Sequence, residues 1–407
     1  MKKQTLAVLI ACFLTVLIAY SVRYSYGTLL PEMLPSLRIT KAEAGIIYSS
    51  YFIAYSIVSP ILGLASDRIN MRILISIFVA VMGAGTFLMQ YPSSVLQASL
   101  FFTIAGIGCA ACWAPVMALA QRWISDKRRG LNLAIIDAGS SLGVMMSGAF
   151  IPVIVANFDW QMGWKILGIT GLALGAIDYL LIRNRPSLQI TQVSAKSGIQ
   201  SKPGGISYRR VLKDGRFWFF GLAYLLTGFT VIIPFTFIST YAVQELSFPY
   251  SSATLLITIL GAGGLLGKLT LGPLSDKVGR LWILILCAGI LVLGSLGIAY
   301  SRGPALMAVC AFFGIGYGAC WALYAACASD FFSKRAAGGI IGLWTFFLGV
   351  GSVLGPIIAG WLADATGTLM WAFIVAAGSG AGSLLFLLPV LKASQRVATG
   401  KLESEQT

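Results

Sequence analysis

The sequence predicts an all-α membrane protein, twelve transmembrane helices in two six-helix pseudo-symmetric halves, on three observations. The first is composition: the 407 residues are 57% hydrophobic and 11% charged, against about 25% charged in an ordinary soluble domain. A core of this size cannot hide that much apolar surface, so lipid is its solvent. The second is length: apolar stretches of roughly 20 residues, enough for a helix to cross the hydrocarbon, recur along the whole chain. The third is a repeat. Gly-Leu-Ala-Ser-Asp-Arg-Ile-Asn-Met-Arg from Gly63 to Arg72 has an echo in Gly-Pro-Leu-Ser-Asp-Lys-Val-Gly-Arg from Gly272 to Arg280, the mark of a duplicated half.

Taken in order, spans are expected near 5–30, 43–64, 72–91, 95–121, 130–156 and 164–183, then 216–242, 250–273, 279–300, 303–328, 337–362 and 368–391. Lys2 and Lys3 followed by an apolar run resemble a signal peptide. The run continues past Tyr20 with no small-residue cleavage site, however, and reads as the first span. Pro115 and Pro234 are expected to interrupt the fourth and seventh spans. Between 184 and 215 the chain turns polar, with Pro186, Pro203, Gly204, Gly205 and a basic cluster of Arg209, Arg210 and Lys213. This divides it into an amino-terminal half (1–183), a linker (184–215), a carboxy-terminal half (216–392) and a tail (393–407).

The net charge is +15, and its placement excludes nucleic acid as the partner. With the amino terminus inside, 23 of the 29 Lys and Arg fall in the amino terminus, the even-to-odd loops and the tail. Arg38, Lys41, Lys165 and Arg302 fall on the opposite side, and Arg23 and Lys268 fall within spans. This positive-inside bias places both termini in the cytoplasm of a prokaryotic cell, with the chain in its inner membrane. Seven cysteines, several in mid-span, read as small apolar packing residues with no disulfide or metal site. With no His, no paired mid-span carboxylates and no Cys beside a base, the chain is not read as an enzyme. There is no Gly-rich Lys-Ser loop for a nucleotide, and no cofactor is expected.

In the repeated segments Asp67 and Asp276 each lie beside basic residues: Arg68 and Arg72 in one copy, Lys277 and Arg280 in the other. The expectation is a charge-paired latch on the cytoplasmic side, with Gly63 and Gly272 giving tight turns.

These two segments resemble the loop motif of the major facilitator superfamily. Asn70 stands where the family usually has Gly. Further features are similar to its monocarboxylate transporter and oxalate:formate antiporter branch. They are Arg23-Tyr24-Ser25-Tyr26-Gly27 with Leu29-Leu30-Pro31 in the first span, Trp123 to Gly130 after the fourth, and Gly349 to Asp364 in the eleventh. Lys268 stands where the branch tends to carry a cation. The resemblance implies two halves rocking around a central cavity, a monocarboxylate substrate such as lactate or pyruvate, and a monomer.

An ionisable group in mid-membrane costs about 2.5–3.5 kcal/mol on insertion scales, so it is kept only where it faces a cavity or a partner. Arg23, Lys268 and Asp137 are such groups. Asp178, near the end of the sixth span, is expected to snorkel toward Arg183. Two cations against one carboxylate leave a positive surplus, which points to an anionic substrate. Arg23 paired with Asp137 as a mere helix staple, and Lys268 snorkelling to the surface, are the structural alternatives. Tyr24, Tyr26, Trp113, Tyr317, Trp321 and Tyr324 are candidates for cavity walls. Asp137 is the proton-coupling candidate. The function expected is secondary transport of small organic anions by alternating access, with proton symport or anion exchange. A dicarboxylate exchanger and a proton-driven drug exporter are the rivals. A sensor is disfavoured because no sizeable soluble domain is present.

Overall fold

The computed structural model describes residues 3–65, 69–124, 129–183, 208–332 and 337–404. Fourteen helices lie among them: α1 (Lys3–Leu37), α2 (Lys41–Ala65), α3 (Met71–Leu88), α4 (Val95–Cys109), α5 (Ala114–Trp123), α6 (Arg129–Asn157), α7 (Trp160–Leu181), α8 (Tyr208–Lys213), α9 (Gly215–Gln244), α10 (Tyr250–Val278), α11 (Arg280–Tyr300), α12 (Pro304–Phe331), α13 (Ala337–Thr366) and α14 (Met370–Ser404). With α4 and α5 counted as one broken span and α8 as a connector, twelve are long and apolar enough to cross a membrane. Stripes of exposed apolar side chains such as Ile53, Ile57 and Ile61 face outward, where lipid replaces water.

The duplication seen in sequence reappears as packing. In the first half α1 lies on α6, α2 on α4, and α3 on α4 and α7; in the second half α9 lies on α13, α10 on α12, and α11 on α12 and α14. The halves meet through α2 against α13, α6 against α10, and α1 against α9. An even number of spans puts both termini at one end, the terminal end, and the α1–α2 connection at the other, the distal end.

Close approach at the distal end depends on missing side chains. A Cβ on Gly45 of α2 would lie 2.2 Å from the Pro356 carbonyl oxygen of α13, and one on Gly360 would lie 2.2 Å from the Lys41 carbonyl oxygen. Hydrogen bonds tie the same region across the halves: Ser49 Oγ donates to Val353 O at 2.6 Å, Tyr250 Oη to Thr28 O at 2.9 Å and Thr258 Oγ1 to Met145 O at 3.0 Å.

Several expectations change. The fourth span is interrupted as expected, α4 ending at Cys109 and Pro115, which has no N–H to donate, lying in the first turn of α5. Pro234 does not interrupt anything: α9 runs continuously through it. Gly272 is inside α10, which continues to Val278, and the turn falls at Gly279 with φ +108°. In the first copy Asn70 takes the place of Gly279 with an extended φ of −65°, its Oδ1 accepting the Arg72 and Ile73 N–H groups to cap α3. The linker includes the short α8. Asp214 caps α9, and its hydrogen bond to Arg216 holds its carboxyl below the usual range. α14 continues as helix to Ser404, beyond the expected boundary at 392. Asp67 and Arg68 lie outside the described residues.

Candidate functional site

Arg23 lies mid-way along α1, and its side chain is 7% exposed. Its Nε donates to Tyr51 Oη at 3.2 Å and its Nη2 to Cys109 Sγ at 3.6 Å. Four rings surround the guanidinium carbon: Tyr55 at 4.6 Å, Tyr20 at 4.9 Å, Tyr51 at 5.4 Å and Phe52 at 5.6 Å from their centroids. Such rings stabilise a desolvated cation through their quadrupoles but carry no charge. Among the described residues no carboxylate pairs with Arg23. Its acceptors Tyr51 and Cys109 are neutral, so the charge of the guanidinium is left without a counter-ion among the described residues, and its planar fork suits a planar anion.

Lys268 is different. Its Nζ lies 2.7 Å from Asp137 Oδ2 on the other half, 3.1 Å from Asp137 O and 2.6 Å from Ser140 Oγ. An ammonium has three donors, and all three are used. The second carboxylate oxygen, Asp137 Oδ1, accepts Trp113 Nε1–H at 3.2 Å. α10 runs about three more turns past Lys268 before it ends, so the side chain turns to Asp137 rather than snorkelling to the near surface. The pairing of Arg23 with Asp137 does not occur: Asp137 belongs to Lys268.

Between these groups the halves touch through aromatics. Tyr317 Oη of α12 donates to Tyr24 Oη of α1 at 3.3 Å, and Phe235 of α9 packs 4.5 Å from Tyr24 and 4.7 Å from Tyr317, centroid to centroid. Trp321 stands edge-on to Tyr317 at 6.2 Å. Tyr26 is not in this group. It stacks on Tyr48 at 4.7 Å inside the first half and donates to Ala44 O at 2.7 Å. Tyr324 turns into the second half, paired with Thr227 at 2.9 Å.

Sequence reasoning missed the cage residues Tyr20, Tyr51, Phe52 and Tyr55 and the acceptor Ser140. A signal was present: Tyr48, Tyr51, Phe52 and Tyr55 recur at i, i+3, i+4 and i+7, one face of a helix. It also missed that Cys109 and Cys112 are spaced as a pair.

Asp178 is fully buried and does not snorkel. Its Oδ2 is 2.8 Å from Thr15 Oγ1, which is itself 2.9 Å from Ala11 O. With Asp178 ionised, Thr15 donates to it and shares its one proton with the Ala11 carbonyl. Two full hydrogen bonds form when Asp178 instead carries a proton and donates it to Thr15, which then donates to Ala11.

The second of the repeated loops makes its charge pairs within its own half. Arg280 reaches Asp330 at 2.8 Å and Asp276 at 3.3 Å, joining the α10 end to α12, while Lys277 is exposed in the last turn of α10. Arg72 lies over the Tyr179 ring at 4.0 Å and donates to the Tyr179 carbonyl. Gly63 falls in the last turn of α2. Arg280 therefore clamps the end of α10 to α12 within the second half.

Two pseudo-symmetric six-helix repeats with buried ionisable groups where they meet are the architecture of a secondary transporter. The family model of the Major Facilitator Superfamily matches residues 12–269 and 220–406, and the chain belongs to that family: a multi-pass membrane transporter, not an enzyme. A hexuronate transporter of Bacillus subtilis (strain 168) is 24% identical over 398 residues, 93% of this chain and 92% of its own. The membrane sensor protein UhpC of Escherichia coli (strain K12) is 27% identical over 419 residues, 95% of this chain and 92% of its own. The solved nucleoside transporter NupG superposes with a TM-score of 0.74 at 18% identity, covering 96% of this chain and 99% of that one, a likeness of fold. The names of these relatives speak of hexuronate and sensing rather than of monocarboxylate or oxalate exchange. A sensor with no room for a large extra domain also removes the length argument made against that role.

Proposed function

We propose that this chain transports small monovalent organic acids of the sugar-acid class, with the substrate carboxylate held by Arg23. The observation that carries this reading is the charge balance: Asp137 neutralises Lys268, so the site keeps one uncompensated cation, matching one carboxylate. A hexuronate is a hydroxylated monocarboxylate, which reconciles the anion expected from sequence with the relative named for hexuronate transport. The rings around Arg23 offer apolar walls, and the hydroxyls of Tyr24, Tyr51 and Tyr317 offer partners for sugar hydroxyls.

Transport proceeds by alternating access. The distal contacts of α2 with α13 close one side, and the halves part there when the site opens outward. Protonation of Asp137 would release Lys268 and loosen α6 from α10, which makes Asp137 the proton carrier of a symport. The positive-inside bias puts the termini in the cytoplasm of a bacterial inner membrane, and the protein works as a monomer with no cofactor.

Relatives named probable hexose phosphate transport proteins favour a second reading. A phosphomonoester carries about −1.5 to −2 at pH 7 and would need Lys268 freed as well as Arg23. A thermal-shift series on detergent-purified protein separates the two: glucuronate, galacturonate, gluconate, lactate, glucose 6-phosphate and glucose. A ligand at ~100 times its Kd stabilises by about 2.7 kcal/mol. The sugar acids are expected to raise Tm, and R23K to abolish the rise, because an ammonium lacks the planar fork. A response to glucose 6-phosphate alone overturns the monocarboxylate reading in favour of the second.

A further inference from the structure

The fourth span breaks at Cys109-Ala110-Ala111-Cys112. α4 ends on the first cysteine, and the Cys112 N–H donates back to the Cys109 carbonyl at 3.0 Å. A bend of this kind holds the first and fourth Cα atoms within about 7 Å, and a disulfide spans roughly 4.4–6.8 Å between Cα atoms. Both thiols are free, and both are buried. Cys109 Sγ also receives Arg23 Nη2, whereas Cys112 Sγ faces the Gly108 carbonyl at 3.5 Å. The pair is therefore asymmetric: one sulfur meets a cation and the other a carbonyl oxygen.

A thiolate is the nucleophile in disulfide chemistry, and a neighbouring Arg favours it. We propose that Cys109 and Cys112 form a thiol–disulfide exchange site for small-molecule disulfides, with Cys109 as the attacking sulfur, Arg23 as its activating cation and Cys112 as the resolving sulfur. The Cys109 thiolate attacks one sulfur of the reagent, breaking its S–S bond and expelling one thiolate. Cys112 then gives up its proton and attacks Cys109 Sγ, closing the protein disulfide and expelling the second thiolate. Two protein thiols are oxidised, one reagent disulfide is reduced to two thiols, and the two cysteine protons end on them. The site borders the anion site because Arg23 serves both. Anion and thiolate compete for one guanidinium, and in this respect alone the inference rests on the transport reading.

The test treats the full-length detergent-purified protein with 4,4′-dithiodipyridine and follows thiopyridone release and peptide mass. The expected product is a Cys109–Cys112 peptide two hydrogens lighter, with two thiopyridones released. C112S should stop at a mixed disulfide on Cys109, and C109S should leave Cys112 unreacted. R23Q should slow the reaction at Cys109 at least tenfold, with both thiols recovered after denaturation as the check that they are present. Equal reactivity of Cys112 in C109S, an unchanged rate in R23Q, or recovery of both wild-type cysteines as free thiols overturns the proposal. Saturating glucuronate should slow closure. If closure and the R23Q effect appear but glucuronate gives no protection, the exchange site stands and the assignment of the anion to Arg23 falls.

Discussion

Asp364, near the end of α13, accepts the backbone N–H of Lys41 at 3.1 Å and of Ala42 at 2.8 Å. A carboxylate from one half thus caps the first turn of α2 in the other, where unpaired N–H groups and the helix dipole favour negative charge. Beside it, Lys41 Nζ lies 3.8 Å from Glu245, whose Oε1 accepts the Leu369 N–H at 2.7 Å. Caps of this kind contribute about 1–2 kcal/mol. D364A should therefore shift the balance toward the distally open state by roughly 5–30-fold. Spin-label distances across the distal end would broaden toward longer values. An unchanged distance distribution would show that Asp364 caps α2 without holding the halves closed.

The Lys268–Asp137 pair joins α10 to α6 with side chains 17% and 30% exposed. Removing one partner of a fully buried pair costs about 3–5 kcal/mol, and partial exposure lowers this to about 2 kcal/mol for D137N or K268M alone. The double variant D137N/K268M should recover part of that loss, since neither charge is then left without its partner. In reconstituted vesicles D137N should lose stimulation by a pH gradient while keeping exchange of internal for external substrate. A pH-gradient response equal to wild type would remove Asp137 as the proton carrier.

The spans were readable because lipid imposes one rule on every helix, a long apolar run, and a single sequence states that rule twelve times. The two halves were readable because Asp67 and Asp276 sit in copies of one segment. The partners of the buried charges were not readable. Lys268 and Ser140 are 128 residues apart, and nothing local distinguishes Asp137 meeting Lys268 from Asp137 meeting Arg23. Tyr26 was placed with Tyr24 because they are neighbours in sequence, but on a helix residues two apart point away from each other. Gly272 opens the motif, and in sequence an opening glycine reads as a turn, yet it lies inside α10. In the second copy the chain turns at Gly279 with φ +108°, whereas in the first copy Asn70 makes the same turn with φ −65°.

That last point separates two glycines of the same motif. Gly279 has φ +108°, a region L side chains rarely adopt, and G279A should destabilise by about 1–3 kcal/mol. Gly272 lies inside α10 with nothing within 4 Å of where a Cβ would stand, and G272A should be neutral or raise stability by up to ~1 kcal/mol. Melting curves of the two variants test this directly. Equal losses in both would mean that the conformation at 279 is not what the motif requires.

Asp178 and Thr15 make the most local prediction. If Asp178 donates to Thr15 Oγ1, the acid is neutral inside the first half, and its uncharged carboxyl gives a C=O stretch well above the carboxylate band in the infrared spectrum. D178N keeps the shape, and its amide N–H can take over the donation to Thr15. It should therefore fold with a change of less than about 1 kcal/mol, in line with the modest net worth of one hydrogen bond. T15V removes the acceptor and leaves the acid proton without a partner, at a cost of about 1–3 kcal/mol. The acid band should disappear in D178N and shift upward in T15V. A wild-type spectrum that lacks the band, or a D178N variant as destabilised as T15V, would show that Asp178 is ionised and accepts from Thr15, whose one proton it shares with the Ala11 carbonyl.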